Sequence, residues 1–213
     1  MSYFTHLDCS AGCGAEPLDP QGIHHLCACG APLLARYDIE QAAKNWPRSS
    51  LVNRAHNMWR YSEMMPLVND DQPVTLDEGF TPLRHTLRLG TELGLRSLYV
   101  KDESCNPTNS FKARGLSAAV TRANALNVGT VSVPSAGNAA NALAAYAAHA
   151  GLEAKVFMPR DVKTPFIREC ELYGADITLV DGLINEAGRV AKEVGAPLGW
   201  YDISTLKEPY RVE

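Results

Sequence analysis

No stretch of this 213-residue sequence approaches the ~18 consecutive apolar residues of a membrane-spanning helix, so no membrane partner is expected. Basic blocks are missing too. The formal net charge is −4, and neither nucleic acid nor an anionic membrane surface is an expected partner. The opening MSYFTHLDCSAGCG lacks a basic start and an apolar core, so no signal peptide is expected and the chain is assigned to the cytoplasm. No G-x-G-x-x-G occurs, which argues against a dinucleotide-binding fold. Internal repeats and low-complexity segments are absent as well.

What is present is a chain with 46% hydrophobic residues, enough for one large or two small cores. Its texture changes twice. Residues 1–35 are rich in Cys and Gly, and a head of turns and short strands is expected there. Residues 36–75 place Trp46, Met58, Trp59, Met64 and Met65 among prolines, which predicts short helices packed on something larger. From Val74 onward the pattern is α/β. RSLYVKDE reads as a strand, and TVSVPS, EAKVFMP, DITLVDG and LGWYDIS read as four more. Helical stretches that each end in Gly separate the last four. Strands alternating with helices predict a parallel sheet with helices on both faces, a three-layer αβα arrangement.

Two sites carry chemistry. In NPTNSFKARG, Asn106–Asn109 reads as a turn and Ser110 as the N-cap of a helix running from Phe111 to Asn127. Lys112 and Arg114 then sit in the first turn, against the positive end of the helix dipole. A lysine there is ordinarily a solvated residue at a frayed start. The alternative is an amine whose charged form is disfavoured by the dipole, by Arg114 and by burial, and which is therefore a ready nucleophile for an aldehyde cofactor. The second site, Ser135–Asn138, joins a buried strand to an alanine-rich helix at the carboxyl edge of the sheet. That is where open α/β sheets bind ligands, although tight helix packing explains the small residues equally well.

EGFTPL, VKDESCNPTNSFKARG and SAGNAANALAAYAAHAG closely resemble the threonine synthases and their relatives among the fold-type II pyridoxal-phosphate enzymes. The resemblance implies that Lys112 forms the Schiff base with pyridoxal 5'-phosphate and serves as catalytic base. It implies that Asn138 bonds the cofactor's phenolic oxygen, and that Ser135, Gly137, Asn138 and Ala139 receive the substrate carboxylate. The implied reaction converts O-phosphohomoserine and water to threonine and phosphate. A serine or threonine dehydratase, a cysteine synthase or an inactive fragment are the other readings. The cysteine-rich head and the ending STLKEPYR favour threonine synthase.

The family's glycine-rich phosphate loop and its hydroxyl for the pyridine nitrogen are not found here, so an N-terminal fragment of a longer homodimeric enzyme is expected. Its parts would be the head (1–35), an incomplete portion of a large domain (36–114) and a small α/β domain (115–213). Where relatives often have NPTGSFK this chain has Asn109, a mild change because Asn tolerates positive φ.

Four cysteines, Cys9, Cys13, Cys27 and Cys29, fall in the head, and a zinc-ribbon-like site is expected there rather than disulfides. The spacings C-x3-C and C-x-C depart from the usual C-x2-C, and His24 or His25 is a candidate replacement ligand.

Overall fold

The computed structural model describes residues 1–212. β1 (Phe4–Cys9) and β2 (Leu33–Tyr37) form an antiparallel pair that frames the head. Leu7, Cys9, Cys27, Leu33 and Ala35 pack there around Tyr210 from the far end of the chain. α1 (Ile39–Asn45) follows, started by the Asp38 carboxylate accepting the Gln41 N–H at 2.9 Å. Two 3-10 turns, Arg48–Leu51 and Met58–Met64, complete the short helices expected in this region. Met58, Trp59 and Met65 are buried against Ala118.

The span after Val74 is less regular than its sequence pattern predicts. β3 (Leu83–His85) and β4 (Tyr99–Lys101) pair antiparallel, with α2 (Leu87–Glu92) between them in sequence. This unit buries little. Leu83, Leu87, Leu93 and Tyr99 are 50–68% exposed, so its pairing rests on backbone hydrogen bonds more than on a core.

α3 (Lys112–Ala125) then leads into β5 (Thr130–Pro134), α4 (Asn138–Ala150), β6 (Glu153–Pro159), α5 (Thr164–Leu172), β7 (Asp176–Val180), α6 (Ile184–Gly195) and β8 (Tyr201–Asp202). The four strands form one parallel sheet in the order β7-β6-β5-β8. Alternation along β6 divides the interior. Val156 and Met158 join α3, α4 and α5 in the main core, while Phe157 joins Ala187 and Ala191 of α6 on the opposite face. The α/β class with a parallel sheet and helices on both sides is therefore as expected.

Helix ends depart in detail. α3 begins at Lys112 rather than Phe111, although the Ser110 hydroxyl still accepts the Lys112 N–H at 3.2 Å. α4 ends on left-handed Gly151 (φ 73°), as a C-cap should. α6 reaches Gly195 without a left-handed glycine cap there. That residue stays right-handed, the chain continues through Ala196–Leu198, and the left-handed residue is Gly199 (φ 70°). Gly195 serves packing instead, since a Cβ there would lie 3.0 Å from Cε3 of Trp200.

Candidate functional site

The turn before Lys112 is held from several directions. Asn106 is buried. Its Oδ1 accepts the Gly79 N–H at 2.9 Å and its Nδ2 donates to the Glu103 carboxylate at 2.8 Å. Asn109 adopts φ 53°, in line with the expectation that Asn tolerates this position. Thr108 adopts φ 56°, which is uncommon for a β-branched residue and was not foreseen. The structure thus holds a strained turn directly ahead of the lysine.

The two cations of the first turn are treated differently. Arg114 makes a two-pronged pair with Glu103, Nε to Oε2 at 2.7 Å and Nη2 to Oε1 at 2.8 Å. That guanidinium holds the Glu103 carboxyl down at about 2. Lys112 has no ion pair among the described residues; its Nζ lies over the Phe111 ring, 3.8 Å from the centroid. Burial, and then the charge of Arg211, lowers its pKa. A lysine starts this helix without an acid to neutralise it, and its environment favours the free amine.

Lys112 opens into a cavity of about 340 Å3 that Thr205 and Arg211 also line. The C-terminal strip reaches it by crossing α3 at Gly115, where a Cβ would collide with the Arg211 carbonyl oxygen. The Arg211 Nη1 donates to the Ile203 carbonyl at 2.7 Å, and the Glu208 carboxylate accepts the N–H groups of Tyr210 and Arg211 at 2.8 and 2.9 Å. Burial pushes the Glu208 carboxyl up to about 7. Sequence reasoning assigned no role to Thr205 or Arg211. Both residues lie within STLKEPYR, where the signal is found.

Residues 135–137 connect β5 to α4, and α4 packs along α3 and against the Pro107–Asn109 turn. Ser135 is buried, and its hydroxyl accepts the N–H groups of Ala140 (3.2 Å) and Gly137 (3.3 Å). Asn138 is exposed at the helix start, with no side-chain hydrogen bond among the described residues, and Ala139 is buried behind it. The fold brings the two segments onto neighbouring elements; no hydrogen bond joins Lys112 to Asn138.

Beneath both lies a carboxylate that sequence reasoning passed over. Glu78, fully buried, receives Trp59 Nε1 at 2.8 Å, the Ser117 hydroxyl at 2.6 Å, the Leu76 N–H at 3.0 Å and the Tyr146 hydroxyl at 2.5 Å. It ties the EGFTPL segment to α3 and α4 together.

In the head, the sulfurs of Cys9, Cys13, Cys27 and Cys29 lie within 4.8 Å of one another, with Cys9–Cys29 at 3.6 Å and Cys13–Cys27 at 3.5 Å. Four sulfurs at ~2.3 Å from a tetrahedral zinc would stand ~3.8 Å apart, so this donor set fits such an ion. The backbone N–H groups of Cys13 and Ala11 draw the Cys9 thiol down to about 6. At Cys13 the Ala15 N–H acts in the same direction, but the neighbouring sulfurs prevail and push the thiol up to about 12. Neither histidine belongs to the cluster. His24 Nε2 is 2.8 Å from the Asp19 carbonyl, and the His25 ring packs on Tyr201 at 4.9 Å.

Residues 74–213 match the family described as "Pyridoxal-phosphate dependent enzyme". The chain is 36% identical over 202 residues to the threonine synthase of Methanocaldococcus jannaschii, covering 94% of this chain and 49% of that protein. It is 32% identical over 209 residues to that of Methanosarcina acetivorans, covering 98% and 50%. Among solved structures, maize serine racemase superposes with a TM-score of 0.57 at 26% identity, over 62% of this chain and 40% of that one. Threonine deaminase isoform 2 of Solanum lycopersicum gives 0.50 at 27% identity, over 58% and 34%. The chain belongs to the pyridoxal-phosphate dependent enzyme family. It resembles threonine synthases over most of its length and spans about half the length of the curated relatives it matches. No helix among the described residues is long and apolar enough to cross a membrane.

Proposed function

We propose that this chain provides the lysine-bearing part of a threonine synthase, a cytoplasmic homodimer in its longer form, acting on O-phosphohomoserine. The observation that carries this reading is a Lys112 amine without an ion pair among the described residues, sharing its cavity with Arg211. Lys112 would hold pyridoxal phosphate through its aldehyde, and Asn138 would bond its phenolic oxygen. Bound there, the cofactor supplies an electron sink for loss of the Cα proton. The Lys112 amine is the base that takes this proton and later returns it to Cα. The N–H groups at the start of α4, from Asn138 and Ala139, would receive the substrate carboxylate within the Ser135–Gly137 turn. Arg211 would stand against the phosphate that departs from Cγ. That cation favours a phosphate-bearing substrate over the neutral serine or threonine of a dehydratase. The domain division at residues 35 and 114 belongs to the same proposal, as does a structural zinc on Cys9, Cys13, Cys27 and Cys29.

Reduction with borohydride after adding pyridoxal phosphate should place a pyridoxyl group on Lys112, located by peptide mass spectrometry. Lys112→Ala and Lys112→Arg should lose it, since a guanidinium does not add to the aldehyde under these conditions. Phosphate release from O-phosphohomoserine, without keto-acid formation from serine or threonine, is expected of the longer protein. The 213-residue chain alone should incorporate cofactor weakly and release no phosphate. Incorporation at another lysine would overturn the site; keto-acid formation would favour the dehydratase.

A further inference from the structure

A second cavity, of about 560 Å3, lies between the head, the end of α6 and β8, and shares no lining residue with the Lys112 cavity. Its volume falls in the range of small-molecule sites. We infer that it binds a small monocarboxylate with an apolar or aromatic body, held between Lys192 and Lys207.

The walls are apolar. Ile23 and Leu26 of the head, 56% and 38% exposed, line it together with Trp200 and the small side chains of Ala191 and Ala196. Such a wall accepts a hydrocarbon or aromatic body, whose apolar surface leaves water on binding.

The floor carries a polar group. Ser132 lies mid-strand in β5, is 3% exposed and lines the cavity. Its carbonyl is already taken by the Ile203 N–H at 2.8 Å, which leaves its hydroxyl as the group a ligand oxygen would meet.

The rim sets the charge. Among the described residues neither Lys192 nor Lys207 forms an ion pair. Asp202, the acid at the rim, is turned to Ser204, whose N–H donates to its Oδ1 at 2.9 Å. His25 adds no cation, because burial lowers its pKa and leaves a neutral ring at pH 7. The cavity also sits at the carboxyl end of α6, whose dipole opposes anions, and opposes a dianion more than a single charge that the two lysines offset. One negative charge is therefore favoured over the two of a phosphate monoester.

Titration calorimetry of the 213-residue chain with 4-phenylbutyrate tests this, with 4-phenylbutyramide as the uncharged counterpart. Saturable binding of the acid is expected, weaker by about tenfold for the amide and for each of Lys192→Glu and Lys207→Glu. Ala191→Phe should abolish binding by filling the space, and Ser132→Ala should weaken it. Thermal unfolding of each variant verifies that it is folded. Because the lysines are exposed, their variants keep the test decisive if a cavity-filling variant fails to fold. Absence of saturable heat, equal affinity for the amide, or full affinity in both lysine variants would overturn the inference.

Discussion

The hydroxyl of Tyr146 donates to Oε2 of Glu78 at 2.5 Å, across 68 residues of sequence and inside a fully buried site. A hydrogen bond contributes ~0.5–1.5 kcal/mol net, so Tyr146→Phe should destabilise the fold by about that amount in urea unfolding. In a Glu78→Gln background the same change should cost less, because the carboxyl acceptor is gone. An additive double mutant would show that the two residues do not interact.

Gly115 is the point where the C-terminal strip crosses α3, and a Cβ there meets the Arg211 backbone. Gly115→Ala improves helix propensity by ~1 kcal/mol. Overpacking against backbone outweighs this, at ~1–3 kcal/mol. The variant should be net destabilised and should incorporate less cofactor at Lys112, as measured by unfolding and by borohydride trapping. A more stable protein would mean that the strip lifts away freely.

The four head cysteines should hold one zinc ion per chain, measurable by elemental analysis of protein purified without chelator. Metal removal should lower the thermal midpoint, because Leu7, Leu33 and Tyr210 pack in the core around Cys9 and Cys27. Cys13→Ser should lose the metal while leaving the parallel sheet folded by circular dichroism. Protein without zinc but with an unchanged midpoint on chelation would contradict this.

Glu208 makes stability fall as pH rises. Burial raises its carboxyl from 4.5 to about 7, so the folded state holds a proton that the unfolded chain releases. The contribution is fully present below pH 4.5 and is lost as pH rises through about 7. Unfolding free energies of the wild type should decline across that interval, and Glu208→Gln should flatten the decline. The variant also loses one of the two acceptors for the Tyr210 and Arg211 N–H groups, a cost of ~1 kcal/mol at every pH.

Much of the α/β region is legible in the residues alone. Strands β5 and β6, covered on both faces, show it in Val131 and Val133 and in the buried run of residues 156–159, and α4 shows its end in Gly151. Lys112 could be singled out because a cation at a helix start violates a local electrostatic preference, and Asn109 because positive φ is a local demand. These are properties of a few consecutive residues. The partners of Glu78 and the passage of Arg211 over Gly115 are not. They join residues distant in sequence, and the Glu78 set depends on which polar groups the packed core strips of water and must therefore pair. No pattern of neighbours encodes that choice; it exists only once helices and sheet are brought together.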